Sequence, residues 1–153
     1  MQIQSGQEAL YVACEMERGA IQTYERALML VTADDPLHAA LRERLQMILN
    51  DERQHLLQFQ SLYEGLALAM EQQLMLAAIA SSLLFEGGLM GAVRRGMLKD
   101  KESLLAFAQE AEQKAADTYR AFAAACRDAS TADVLRGIAL EEETHLQTLR
   151  GYL

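Results

Sequence analysis

Two stretches decide how this chain is read: LQMILNDERQHL at residues 45–56 and LRGIALEEETHL at residues 135–146. Both begin on Leu, carry Ile at the fourth position and Glu at the eighth, and end on His-Leu. In each, apolar residues recur at helical spacing: Leu45, Ile48, Leu49 and Leu56 in the first, Leu135, Ile138 and Leu146 in the second. A Glu stands inside each stripe where Leu is expected, Glu52 in the first and Glu142 in the second. His55 and His145 follow three residues later, which puts each imidazole on the same helix face as its Glu, one turn on.

Each stretch is preceded by a second shared motif. Glu17-Arg-Gly-Ala-Ile-Gln-Thr-Tyr24 and Glu112-Gln-Lys-Ala-Ala-Asp-Thr-Tyr119 share the pattern E-x-x-A-x-x-T-Y. Glu17 interrupts a stripe of Leu10, Cys14, Ile21, Tyr24, Leu28 and Val31. Glu112 interrupts one of Leu104, Ala108, Ala111, Tyr119, Phe122 and Cys126. The order helix A, helix B therefore occurs twice, and the chain reads as one all-α domain over residues 1–153. It divides into a first hairpin over about 6–65, a crossover over about 66–99 and a second hairpin over about 100–151. Two copies at so long a period do not make a solenoid.

Local signals place the ends. Ser5-x-x-Glu8 reads as a capping box. Asp34-Asp35-Pro36 stops helix one and opens helix two, with Pro36 suited to the first turn. Gly65 is an interruption or a C-terminal cap. Asp100 caps helix three, and Ser130 or Thr131 caps helix four, whose inward residues include Val134, Leu149 and Tyr152. The crossover is expected to run from one end of the molecule to the other, as parallel neighbouring helices require.

Composition agrees. Ala and Leu dominate, with one Pro and no Trp, and strong helix formers prevail. The net charge of −8 disfavours a nucleic-acid partner. The longest apolar run, Leu74 to Phe85, has twelve residues, short of the roughly twenty that span a bilayer. It reads as a buried or inter-subunit helix, which suits a homodimer, and no membrane partner is expected. Cys14 and Cys126 form no C-x-x-C motif, so a reduced, cytoplasmic setting is expected. Met70, Met75, Met90 and Met97 cluster in the crossover and read as core or interface packing. His38 has no counterpart in the repeat and reads as a surface residue. Glu8, Glu15, Glu25, Glu110 and Glu141 read as solvated or peripheral.

Four stripe carboxylates demand compensation. Burying even one without a partner costs on the order of several kcal/mol, and no Lys or Arg shares their stripes at that level. Two divalent cations would balance four carboxylates beside neutral imidazoles. One Glu from each of two helices plus Glu-x-x-His from each of the others is the di-metal carboxylate pattern of ferritin-like bundles, and this mixed donor set suits iron, with manganese the other candidate. Solvated glutamates and structural core histidines are the plainer alternatives. Tyr24 and Tyr119, two turns beyond Glu17 and Glu112, are either core filler with a satisfied hydroxyl or hydrogen-bond donors to a bridging carboxylate.

At these residues the chain resembles the rubrerythrin-like branch of the ferritin-like superfamily, across all four helices. The resemblance implies a four-helix bundle of two pseudo-symmetric hairpins with a long crossover, in which Glu52 and Glu142 bridge two iron ions. It further implies Glu17 and Glu112 as terminal ligands, and His55 and His145 on one ion each. The activity implied is that of an oxidoreductase acting on hydrogen peroxide or dioxygen. Iron storage by ferroxidase chemistry and a non-catalytic metal-stabilised scaffold are the alternatives. The chain departs from the family in two places: Ala115 and Ala116 fill the turn where rubrerythrins carry a further carboxylate, and two cysteines cannot supply a rubredoxin-like four-cysteine site. Electrons are therefore expected from a separate donor.

Overall fold

The computed structural model describes residues 1–34 and 36–152, so Asp35 of the expected stop signal lies outside the described residues. All regular structure among them is helical: α1 (Gly6–Leu30), α2 (Pro36–Leu62), α3 (Leu68–Ala80), α4 (Gly88–Arg94), α5 (Lys101–Ala125) and α6 (Ala129–Arg150). No described helix is long and apolar enough to cross a membrane.

The ends follow the cap chemistry, with one shift. Ser5 accepts from the Glu8 backbone N–H at 3.2 Å and its hydroxyl donates to the Glu8 carboxylate at 3.3 Å. Asp100 and Ser103 form a reciprocal box at the start of α5. The cap of α6 is Asp128, not Ser130 or Thr131: its carboxylate accepts from the Thr131 N–H at 2.9 Å. Three cap-forming residues within four positions, Asp128, Ser130 and Thr131, compete there, and the carboxylate prevails over a hydroxyl because it also takes the Thr131 side-chain proton. α2 ends at Leu62, and Gly65 follows at φ 105°, beyond the helix rather than at its cap.

Four long helices, α1, α2, α5 and α6, pack as α1 on α2, α5 on α6, α1 on α5 and α2 on α6. Every one of these pairs is antiparallel. Gln7 donates to the Leu62 carbonyl while Arg42 donates to that of Leu28, at opposite ends of α1 and α2. Tyr24 meets Glu112 and Tyr119 meets Glu17 between α1 and α5. Glu52 meets His145 and His55 meets Glu142 between α2 and α6. The expectation of parallel neighbours is corrected: α2 and α5, joined by the crossover, run parallel but are not a packed pair. Diagonal placement lets each side-by-side pair be antiparallel.

Two apolar clusters fill the interior. One holds Leu10, Cys14, Phe59, Tyr119, Leu135 and Ile138; the other holds Tyr24, Leu45, Ile48, Leu104, Ala108 and Leu149. On each long helix the sequence passes from one cluster to the other, and a Glu stands at the crossing. α1 crosses at Glu17, α2 at Glu52, α5 at Glu112 and α6 at Glu142. A polar layer therefore divides the core, sealed above and below by side chains that exclude water.

The crossover is two short helices, not one. α3 buries only Leu74 and Ala78, while Leu76 is 68 % exposed. Leu83, Leu84 and Phe85 lie in the turn after it, and Phe85 packs its ring on Phe107 of α5 with centroids 5.1 Å apart. Lys114 of α5 donates to the Ser82 carbonyl at 2.9 Å. At Gly91 a Cβ would sit 2.4 Å from the Glu86 carbonyl oxygen, so only glycine allows α4 to fold back this closely on the turn. The methionines are not core: Met70, Met90 and Met97 are exposed and Met75 is half-buried. His38 is likewise half-buried rather than superficial, with the Lys101 ammonium 3.2 Å from its Nε2.

Candidate metal centre

Six residues from four helices meet in the polar layer. Glu17, Glu52, Glu112, Glu142, His55 and His145 are all at most 4 % exposed. Their donor atoms form two quartets. Glu17, Glu52, His55 and Glu142 make one, and Glu52, Glu112, Glu142 and His145 the other; within each quartet the donors lie within 4.8 Å of one another. Each could hold a metal ion, and Glu52 and Glu142 belong to both. In α2 and α6 alike the Glu is buried in this layer, with its His one turn on.

The donors face a common centre rather than one another. Nδ1 of His55 lies 3.0 Å from Glu142 Oε1, 3.6 Å from Glu52 Oε2 and 3.8 Å from Glu17 Oε2. Nδ1 of His145 lies 2.9 Å from Glu52 Oε1 and 3.6 Å from both Glu112 Oε1 and Glu142 Oε1. Despite these short separations, Glu17 Oε2, both Glu52 oxygens, Glu112 Oε2, Glu142 Oε1 and the two Nδ1 atoms have no partner in hydrogen-bond geometry. Buried polar atoms are ordinarily hydrogen-bonded. Seven orphans converging in one layer are what cations between them would satisfy.

The second oxygens of Glu17 and Glu112 are occupied. Tyr24 donates its hydroxyl to Glu112 Oε1, and Tyr119 donates to Glu17 Oε1 at 2.7 Å. Each tyrosine thus takes one oxygen and leaves Oε2 for a metal. The expected hydrogen bond to a bridging carboxylate is corrected. Because α1 and α5 are antiparallel, a tyrosine two turns beyond its own Glu comes level with the Glu of the other helix. Burial and the neighbouring carboxylates push both phenols well up, so they keep their protons.

Charge is distributed unevenly when no cation is present. Burial and the Glu52 charge push Glu17 well up; burial and Glu52, Glu112 and Glu17 do the same to Glu142. Burial and Glu112 would raise Glu52 too, but its polar contacts with Glu17, His145 and His55 outweigh them and hold it low. Burial alone would pull the histidines down. The carboxylates around them win, raising His145 to about 12 and His55 further in the same direction.

No family model, curated protein or solved structure matches this chain. The centre therefore stands on its own chemistry.

Two further carboxylates reach the histidines from outside the layer. His55 Nε2 pairs with the Glu141 carboxylate, and His145 Nε2 lies 3.0 Å from Asp51 Oδ2. Each carboxylate can accept Nε2–H, which fixes the tautomer that turns the Nδ1 lone pair inward. Glu141 was read as peripheral, and by exposure it is: its side chain is 59 % exposed, that of Asp51 55 %. The signal was the acidic residue directly before each stripe Glu, Asp51-Glu52 and Glu141-Glu142. Asp51→Asn and Glu141→Gln are expected to weaken metal binding by about 10–100-fold without unfolding the chain. Metal titration against a competing chelator checks this, and unchanged affinity in both variants would assign the two carboxylates to the surface.

Proposed function

We propose that this chain is a ferritin-like four-helix bundle of the rubrerythrin type, that it binds two iron ions, and that it is an oxidoreductase acting on hydrogen peroxide or dioxygen. The observation that carries this reading is the pair of buried quartets sharing Glu52 and Glu142. Iron held there would contribute redox chemistry toward an O–O bond, two electrons from a ferrous pair.

The chain's own residues do the rest. Glu52 and Glu142 would serve both ions, while Glu17 and Glu112 would each offer the oxygen left free by Tyr119 and Tyr24. Glu141 and Asp51 orient the imidazoles. The apolar clusters on either side keep bulk water away, which strengthens every interaction in the layer. Electrons come from a separate donor, and a second copy of this chain covers exposed apolar residues of α3 such as Leu68 and Leu76.

Stopped-flow oxidation of the anaerobic ferrous protein tests the reading. A stoichiometric peroxide pulse should react faster than dioxygen, and iron should stay at two per chain through repeated ferrous additions. Faster reaction with dioxygen, with ferric ions accumulating well beyond two, would replace this proposal by ferroxidase storage. Ala115→Glu, which restores a carboxylate to the turn beyond Glu112, should change the ratio of the two rates.

A further inference from the structure

A cavity of about 740 Å³ lies between α1, α5 and the crossover, and its inner end is the carboxylate layer. A water's share of liquid volume is about 30 Å³, so peroxide or dioxygen would need only a small fraction of this space. The volume falls instead in the range of about 300–1,000 Å³ typical of sites for small organic ligands. Its composition is amphipathic by position. Glu17, Glu112 and Glu142 line it at the inner end with Tyr24 and Tyr119, whereas Glu52, His55 and His145 do not reach it. The cavity thus meets the layer on the side away from the imidazoles, where incoming atoms would approach the ligand carboxylates.

The walls are mostly apolar and come from both sides, with Gln22, Thr23, Ser82, Glu86 and Glu110 among them. Ile79, Leu83 and Phe85 of the crossover face Phe107, Ala111 and Ala115 of α5. The small side chains at Ala111 and Ala115 make the room, and the Phe85–Phe107 ring pair closes the wall. The lining cations Arg18 and Lys114 are already engaged within the lining, on Glu15 and on the Ser82 carbonyl. Among the described residues, no Lys or Arg pairs with the inner carboxylates Glu17, Glu112 and Glu142 to hold an anionic head.

We infer that this cavity binds a neutral, largely apolar organic molecule, an alkyl or aryl compound with at most an uncharged polar head directed at Glu17, Glu112 and Glu142. The inference rests on the metal-centre reading only for what that head meets; occupancy of the cavity does not depend on it.

The neutral fluorophore N-phenyl-1-naphthylamine tests this in the metal-loaded protein. It should bind one saturable site per chain. Ala111→Trp and Ile79→Trp fill the cavity from opposite walls, and each should weaken binding by at least about tenfold while metal content and melting temperature hold. If one variant fails to fold, the other decides. 1-Octanol should displace the fluorophore at lower concentration than octanoate. In cobalt-loaded protein, saturating octanol should alter the visible absorption of the metal. Absence of saturable binding overturns the inference. So does binding indifferent to the folded variants, which would place it on the exposed face of α3, and so does preference for octanoate. An unchanged cobalt spectrum overturns the placement of the head. Metal content is measured separately: a chain that takes up no metal but binds the fluorophore in a wall-sensitive way would defeat the proposed function and leave this site standing.

Discussion

Glu52→Ala should leave the protein with almost no bound metal in place of two ions per chain, and Glu142→Ala should do the same. Both residues belong to both donor quartets, whereas Glu17 and His55 belong to one and Glu112 and His145 to the other. Removing a shared carboxylate takes a donor and a compensating negative charge from each ion at once. His55→Ala and His145→Ala should behave differently, each weakening one ion and leaving the other. Stability of the metal-free form separates this from mere misfolding. Glu142, unlike Glu52, is pushed up by burial and by the carboxylates around it, so metal-free Glu142→Ala should melt no lower than the metal-free parent. Only the stabilisation that added metal gives the parent should disappear. Elemental analysis after dialysis, with thermal melts followed by helical circular dichroism, reads both effects. Two tightly held ions in Glu52→Ala would end the assignment of a shared ligand.

The six ligand candidates were legible because their signal is one-dimensional. A Glu in the place of a Leu, inside an apolar stripe, is out of phase with solvent whatever the neighbouring helices do, and the same exception occurs in four stripes. The all-helical composition and the starts at Ser5, Pro36 and Asp100 were legible for the same local reason. What was not legible depends on which helices lie side by side and in which sense. Tyr24 reaches Glu112, and not a residue of its own hairpin, only because α1 and α5 are antiparallel. Asp51 and Glu141 look like an ordinary solvated face, since their carboxylates are more than half exposed while their contacts reach across to the opposite helix. The crossover hid the cavity altogether. Its apolar run has no clean helical face, and only the placement of Leu83 and Phe85 against α5 turns that run into a wall.

Loading the metal-free protein should release at least two protons per chain at neutral pH, one for each ion, and the affinity for each ion should fall by about tenfold or more for each unit of acidification. Without cations the surrounding carboxylates keep both imidazoles protonated, His145 up to about 12 and His55 beyond it. Each Nδ1 must give up its proton before it can ligate. Glu17 and Glu142, raised by burial and by each other's neighbours, add to the release wherever they still hold theirs. The same protons set the stability of the metal-free form. For all four groups the folded value lies above the unfolded one. The stability each contributes is fully present below its unfolded value, about 4.3 for Glu and 6.5 for His, and is lost as pH rises toward the folded value. Glu52, held low, acts oppositely, but only below the ordinary Glu range. The metal-free protein should therefore lose stability steadily as pH rises from about 5 to about 8. The metal-loaded protein has already shed these protons, so it should not follow. The gap between the two melting temperatures should widen over that interval and narrow on acidification. Titration in weakly buffered solution with a pH indicator counts the protons, and paired melts across the range follow the gap. A proton count near zero, or a metal-free protein that melts at or above the loaded one at pH 7, would mean that the six side chains do not exchange protons for metal.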